Sequence, residues 1–256
     1  MSEWEQMIMS DKETKHESEW GKCSCDKSEA LLLEPKSSLL KDCFRVGRIL
    51  WEIVKGFKTM RKYGPCVTVF GSARIKEDND YYLETVALGK ELANAGFSVL
   101  TGGGPGLMEA ANKGAKEAFG TSIGCNIRLP MEQKPNPFLD DFLEFNYFFT
   151  RKLILAKYSY AFIATPGGYG TLDEMFEVMT LIQTGKMENF PIVLLGKKYW
   201  NPLINFIEDT LVKQGTVSIC DLNLILITDS AVDAVNYIRN VFGSKLENKL
   251  IQKCES

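Results

Sequence analysis

Three short apolar runs in this chain break into glycine: CVTVFGSA at 66–73, FSVLTGGGPG at 97–106 and YAFIATPGGYG at 160–170. Runs this short, bounded by glycine, read as buried strands of a parallel sheet. The glycines let the backbone turn sharply into a helix whose first N–H groups face a ligand. From Gly64 onward the spacing predicts strand 66–73, a helix from about Asp80 to Ala95, strand FSVLTGG at 97–103, a helix from Pro105 to Ala118, and strand TSIGCNI. A proline-broken loop at 130–137 follows, then a helix around Thr150–Lys157, strand YAFIA, helix Thr171–Gln183, strand PIVLLG, a helix from about Pro202 to Lys213, strand LILI and a last helix Ala231–Phe242. Such alternation predicts an α/β fold, a Rossmann-like doubly wound parallel sheet with helices on both faces. Ligands in that architecture bind at the C-terminal strand ends. GSAR at 71–74, TGGGPG at 101–106, RLP at 128–130 and TPGGYGT at 165–171 all fall at such ends, and so are expected to converge on one cleft.

With 256 residues, 45% of them hydrophobic, the chain can bury one full core with an appendage. Residues 1–60 read as an N-terminal extension, a tail followed by a helix, and 61–256 as a Rossmann-like domain. Within the extension, 1–35 is a Glu-, Lys- and Ser-rich tail that nonetheless holds Trp4 and Trp20. From Ser38 to Met60, Leu39, Leu40, Phe44, Ile49, Leu50, Ile53, Val54 and Phe57 approximate a helical face able to pack on the domain or on another subunit. A net charge of −3 provides no general attraction for nucleic acid. The start MSEWEQMIMSDKE lacks an apolar signal core, and no run of about 18 apolar residues occurs, so a cytoplasmic protein without membrane association is expected. Seven scattered cysteines fit a reducing compartment, with Cys66 and Cys125 as small hydrophobes in strands. The lone His16 and the CSC at Cys23 and Cys25 supply no conventional zinc spacing, so neither metal nor cofactor is expected.

The richest motif is ATPGGYGTLDE at 164–174, a strand end, a glycine turn and a helix start carrying carboxylates. A second turn, TGGGPGLMEAA at 101–111, places Pro105 as a first helical residue. Two anion-binding turns suggest a nucleotide. Neither completes GxGxxG, and no GK pair precedes Ser or Thr, so hydride transfer on a dinucleotide and Walker-type phosphoryl transfer lose support. The single tail histidine leaves carboxylates, Arg, Lys, Tyr and Cys for proton chemistry, with Glu174 and Glu109 the best placed acids. Thr171 and Glu174 also have the spacing of a capping box, in which Glu174 only serves its own helix. Arg151 and Lys152, taken singly, read more readily as a solvated helix end than as a ligand clamp. The segment EMFEVMTLIQ is apolar on nearly all sides, a core or subunit-interface pattern.

GGGPGLMEA at 102–110, the pair Arg151 and Lys152, and PGGYGTLDE at 166–174 together resemble the LONELY GUY proteins, cytokinin riboside 5′-monophosphate phosphoribohydrolases, over roughly residues 66–241. Many sequences of this type carry a lysine decarboxylase label, but that chemistry requires a pyridoxal-bearing lysine with supporting groups, and nothing here marks one. The resemblance implies hydrolysis of the N-glycosidic bond of an adenine-type nucleoside 5′-monophosphate, AMP or a cytokinin riboside monophosphate, to free base and ribose 5-phosphate. It carries catalysis to Arg151 and Glu174. Substrate and phosphate contacts fall to Ser72, Gly103, Gly104, Met108, Glu109, Lys152, Gly168, Gly170 and Thr171. A homodimer or larger homo-oligomer, with cleft residues near the interface, is also implied. Physically, an ionised Glu174 near a helix N-terminus suits a developing ribosyl cation or a water nucleophile, and an Arg151 fork suits ribose or phosphate oxygens.

Two other classes compete. A nucleotide or molybdenum-cofactor carrier uses similar glycine turns but does not require the pair Arg151 and Glu174. A single-strand DNA-binding module needs a basic, aromatic-lined track, which the acidic balance disfavours.

Overall fold

The computed structural model describes residues 29, 32–33, 38–128, 135–188, 190–223 and 225–254, with side chains through 243. Trp4, His16, Trp20, Cys23, Cys25, Leu129 and Pro130 lie outside the described residues.

Seven strands form one sheet: β1 (Cys66–Phe70), β2 (Ser98–Thr101), β3 (Ser122–Ile127), β4 (Asp141–Phe145), β5 (Ser159–Ala164), β6 (Ile192–Leu195) and β7 (Ile225–Thr228). Their order is β4-β3-β2-β1-β5-β6-β7, and every pair is parallel. All residues of β1, β2, β3 and β6 are buried, as expected of strands covered on both faces. The doubly wound α/β fold expected from the strand and helix alternation is the fold observed.

β4 has no counterpart among the strands expected from the sequence. Its DFLEF buries only Leu143 and Phe145, because it is an edge strand with one exposed flank, and so it lacks the continuous apolar run that marks the others.

Among the described residues, seven α-helices connect or flank the strands: α1 (Leu39–Met60), α2 (Asp80–Asn94), α3 (Leu107–Glu117), α4 (Phe148–Tyr158), α5 (Tyr169–Gln183), α6 (Lys197–Phe206) and α7 (Ala231–Cys254). A π-helical stretch, Ile207–Val212, continues α6. Pro105 is not the first helical residue. Gly106 at φ +72° makes the turn instead, and Leu107 N–H then donates to Ser72 O at 2.9 Å. A side chain at Gly106 would collide with the Ser72–Ala73 backbone, so glycine is required there on both counts. In α5 the helix starts at Tyr169, two residues before the expected Thr171, and α6 starts at Lys197, so that Pro202 lies inside it.

α1 does not bury the face that its apolar residues outline. Leu39, Leu40, Phe44, Leu50 and Val54 are exposed, whereas Glu52, Gly56 and Met60 are the buried residues. Phe57 packs partly against the core. α5 buries Met175 and Val178 and partly buries Met179 and Ile182, while Phe176 remains 38% exposed. Among the described residues, no helix is long and apolar enough to cross a membrane.

Candidate active site

Strand order reverses between β1 and β5: the chain leaves β1 toward β2 on one side and β5 toward β6 on the other. The loops after these strands therefore diverge and leave a crevice. Hydrogen bonds hold its two lips together, Ser72 N–H donating to Pro166 O at 2.9 Å and Thr165 N–H to Phe70 O at 2.8 Å. A cavity of about 740 Å³ opens there, a size suited to a small-molecule ligand. The β1 end contributes Phe70 through Arg74, the β2 turn Gly102 and Met108, β3 Asn126 and Ile127, and α4 Phe148 and Arg151. Gly167 through Leu172, Glu174 and, from α6, Tyr199 complete the wall.

Gly168 is the N-cap of α5, and no side chain caps it. Leu172 N–H bonds to Gly168 O at 3.0 Å, so the N–H groups of Tyr169, Gly170 and Thr171 have no acceptor within the helix. These residues border the cavity, where the helix N-terminus favours an anion. Ideal side-chain positions at Gly168 and Gly170 meet no protein atom within 4 Å. The missing side chains leave open the space that a bound group would use. Gly167 differs, because a Cβ there would collide with Thr171, and its carbonyl accepts from the Tyr199 hydroxyl at 2.6 Å.

Thr171 is the third residue of α5, not its cap, so the capping box suggested by its spacing to Glu174 does not form. Glu174 instead accepts through Oε1 from Arg151 Nη1. Both side chains are buried, and Arg151 Nε also donates to Cys125 O at 2.8 Å. Burial pushes the Glu174 carboxyl above its ordinary range, and Arg151 opposes that shift by charge and hydrogen bond. Gly102 lets the second turn come close: a Cβ there would stand 2.6 Å from Met108 Sδ and 3.0 Å from Arg151 Nη2.

Of the residues singled out in the sequence, Ser72, Met108, Arg151, Gly168, Gly170, Thr171 and Glu174 meet in this cavity. Gly103, Gly104, Glu109 and Lys152 are not among its walls. Gly103 sits at φ +70°, its N–H bonded to Thr101 Oγ1, and Asn136 N–H and Nδ2 donate to the carbonyls of Gly103 and Gly104. Asn112 continues this buried network, accepting from Thr101 Oγ1 at 2.6 Å and donating to Ser122 Oγ at 2.8 Å. The inner glycines of that turn are thus anchored to the core. Glu109 lies 3.5 Å from the Tyr82 hydroxyl, and burial followed by the Glu77 charge raises its pKa. Lys152 bridges to Asp173 at 2.7 Å and Glu177 at 3.3 Å, tying α4 to α5. Of the RLP strand end only Arg128 is described; its N–H donates to Phe145 O at 2.8 Å, and it is not a cavity wall.

Sequence reasoning did not single out Gly102, Arg74, Asn126, Phe148 or Tyr199 as site residues. Gly102 and Arg74 belong to strand ends already marked, and Asn126 is a polar residue inside an apolar strand, so each carried a local signal. Phe148 and Tyr199 carried none, because they reach the cavity only through the packing of α4 and α6. Among the described residues, no three His, Cys, Asp or Glu side chains cluster as a metal site.

Over residues 108–238 the sequence matches the family described as possible lysine decarboxylase. It is 31% identical to the cytokinin riboside 5′-monophosphate phosphoribohydrolase LOG3 of Arabidopsis thaliana over 188 residues, 71% of this chain and 85% of that protein. Identity to the phosphoribohydrolase of the same name from Rhodococcoides fascians is 29% over 178 residues, 68% of this chain and 89% of that one. Among solved structures, the molybdenum cofactor binding protein of Rippkaea orientalis superposes with a TM-score of 0.51 at 26% identity, covering 70% of this chain and 97% of that one. The molybdenum cofactor carrier protein of Chlamydomonas reinhardtii gives 0.51 at 25% identity, covering 70% and 99%. The glycine turns and the Arg151–Glu174 pair thus occur in a chain that belongs to the LONELY GUY family, whose relatives carry the name cytokinin riboside 5′-monophosphate phosphoribohydrolase.

Proposed function

We propose that this protein is an enzyme that hydrolyses the N-glycosidic bond of adenine-type nucleoside 5′-monophosphates, releasing free base and ribose 5-phosphate. The observation that carries this reading is the buried Arg151–Glu174 pair on the wall of a cavity that also receives an uncapped helix N-terminus. The 5′-phosphate sits against the N–H groups of Tyr169, Gly170 and Thr171, with Gly168 leaving room and Ser72 on the opposite lip. As the bond from C1′ to the base nitrogen lengthens, positive charge builds on the ribose. Glu174 then stabilises that charge, or takes the proton of the water that attacks C1′, while the base leaves with the bonding electron pair and is protonated. Arg151 holds Glu174 in place and presents its remaining donors toward ribose or phosphate oxygens. Gly103, Gly104, Glu109 and Lys152 support the site through the contacts described above.

A non-catalytic carrier is the second reading, favoured by the likeness to molybdenum cofactor binding and carrier proteins. A buried carboxylate held against an arginine has no evident use in a carrier, and so favours the enzyme. Incubation with AMP and with isopentenyladenosine monophosphate, followed by chromatography for free base, tests the proposal. Release of base from at least one supports it, and binding without release from either gives the site to the carrier.

A further inference from the structure

α1 buries one carboxylate, and that carboxylate is used at the start of another helix. Glu52, Gly56 and Met60 lie one turn apart and form the buried stripe of α1. At Gly56 a Cβ would stand 2.7 Å from Ile154 Cδ1 and 3.3 Å from Phe145 Cζ, so α1 and α4 approach closely there. Glu52, one turn earlier, is thereby set over the N-terminus of α4. Its Oε1 accepts from Asn146 N–H at 3.1 Å and from Asn146 Nδ2, and its Oε2 accepts from Thr150 Oγ1 at 2.9 Å. The N-cap of α4, Tyr147, provides no side-chain cap, and its first turn holds no acidic residue. Glu52 supplies from α1 what α4 lacks: an acceptor for its entry and a negative charge at its positive end.

Arg151 follows Thr150 directly, and its N–H bonds back to Tyr147 O at 3.2 Å. The turn that Glu52 grips therefore sets where the Arg151 backbone lies. Its guanidinium is then fixed at two points, Cys125 O and Glu174. We infer that Glu52 is a positioning residue for Arg151, so that α1 shapes the active site without touching the substrate; this rests on the reading that gives Arg151 to the substrate.

A double-mutant cycle tests it, read as AMP affinity by calorimetry and as kcat/KM for base release, with the fold checked by circular dichroism. Glu52→Ala is expected to lower both by roughly tenfold, the size of coupling seen within one hydrogen-bonded network. Glu52→Gln is expected to recover most of that loss. It keeps the Oε1 acceptor for Asn146, and its amide donates to Thr150 Oγ1, whose single proton then turns to Tyr147 O, 2.8 Å away. In an Arg151→Ala background Glu52→Ala is expected to cost nothing more. An equal loss in both backgrounds, or no loss with Arg151 present, overturns the inference. Should Glu52→Ala fail to fold, Thr150→Val removes one end of the network and is judged by the same non-additivity. A wild-type protein that binds AMP with this coupling but releases no base leaves the inference standing and refutes hydrolysis. Arg151→Ala without effect on either quantity refutes both.

Discussion

Arg151 on α4 and Glu174 on α5 form a buried ion pair across two helices, and the same arginine also anchors to the backbone of β3 through Cys125 O. One side chain thus ties three elements together at the cavity wall. Removing either partner leaves the other buried without its counter-charge.

Glu174→Gln separates charge from shape. Gln keeps an acceptor for Arg151 but not the negative charge, so stability is expected to fall by roughly 1–3 kcal/mol, the scale for a buried charged donor given a poorer partner. Turnover is expected to fall by about a hundredfold or more while AMP still binds. Calorimetry and single-turnover assays check both. An unchanged rate removes Glu174 from the chemistry and leaves it a structural partner of Arg151.

Burial raises the Glu174 pKa above its ordinary 4.5, and the proposed chemistry needs the ionised form. Activity is therefore expected to be full well above that raised value and to fall as pH drops through it. The acid limb of the kcat/KM profile should lie above pH 4.5 in an otherwise folded protein. A limb at or below that value contradicts the assignment.

Gly167 and Gly168 are neighbours with opposite expected behaviour. Gly168→Val points into open cavity space from an extended backbone, φ −94°, so it should leave stability nearly unchanged while abolishing AMP binding. Gly167→Ala collides with Thr171 and should destabilise the fold, by about 1–3 kcal/mol on the usual scale of overpacking. Melting temperature and AMP titration of the two variants distinguish these effects. Normal AMP binding by Gly168→Val removes the phosphate from this turn.

Cys66 and Cys125 are buried, with thiols pushed up to about 12 by desolvation, whereas Cys43 and Cys220 are exposed. At neutral pH a thiol reagent is expected to modify Cys43 and Cys220 rapidly, and Cys66 and Cys125 only on unfolding. Peptide mapping after timed labelling reads this directly. Rapid native labelling of Cys125 would show that the site opens far more than its packing allows.

Phe44 and Trp51 on α1 are 80% and 69% exposed, beside Leu40 and Leu50, and Phe176 of α5 is partly exposed. An apolar face of this kind is costly in water, so association into at least a dimer is expected. Sedimentation at micromolar concentration checks it. A single 28.8 kDa species would rule it out, and charged replacements at Phe44 and Trp51 should shift any oligomer toward monomer.

Local sequence encodes the parallel sheet and the strand ends at which the cavity opens. Fully covered strands must be continuous apolar runs, and a chain that enters a helix directly from such a strand needs glycine at the turn. CVTVF, YAFIA and TPGGYG were therefore legible before any folding. β4 was not, because an edge strand is free to alternate. Nor was the environment of Glu174: spacing to Thr171 suggested a local cap, while the actual partner, Arg151, lies 23 residues earlier and is brought near only when α4 packs beside α5. The same limit hid Glu52, whose partners Asn146 and Thr150 stand 94 and 98 residues away. Local sequence encodes backbone conformation and burial period, whereas the pairing of buried charges depends on which helices the sheet order makes neighbours, and that was decided by the tertiary structure.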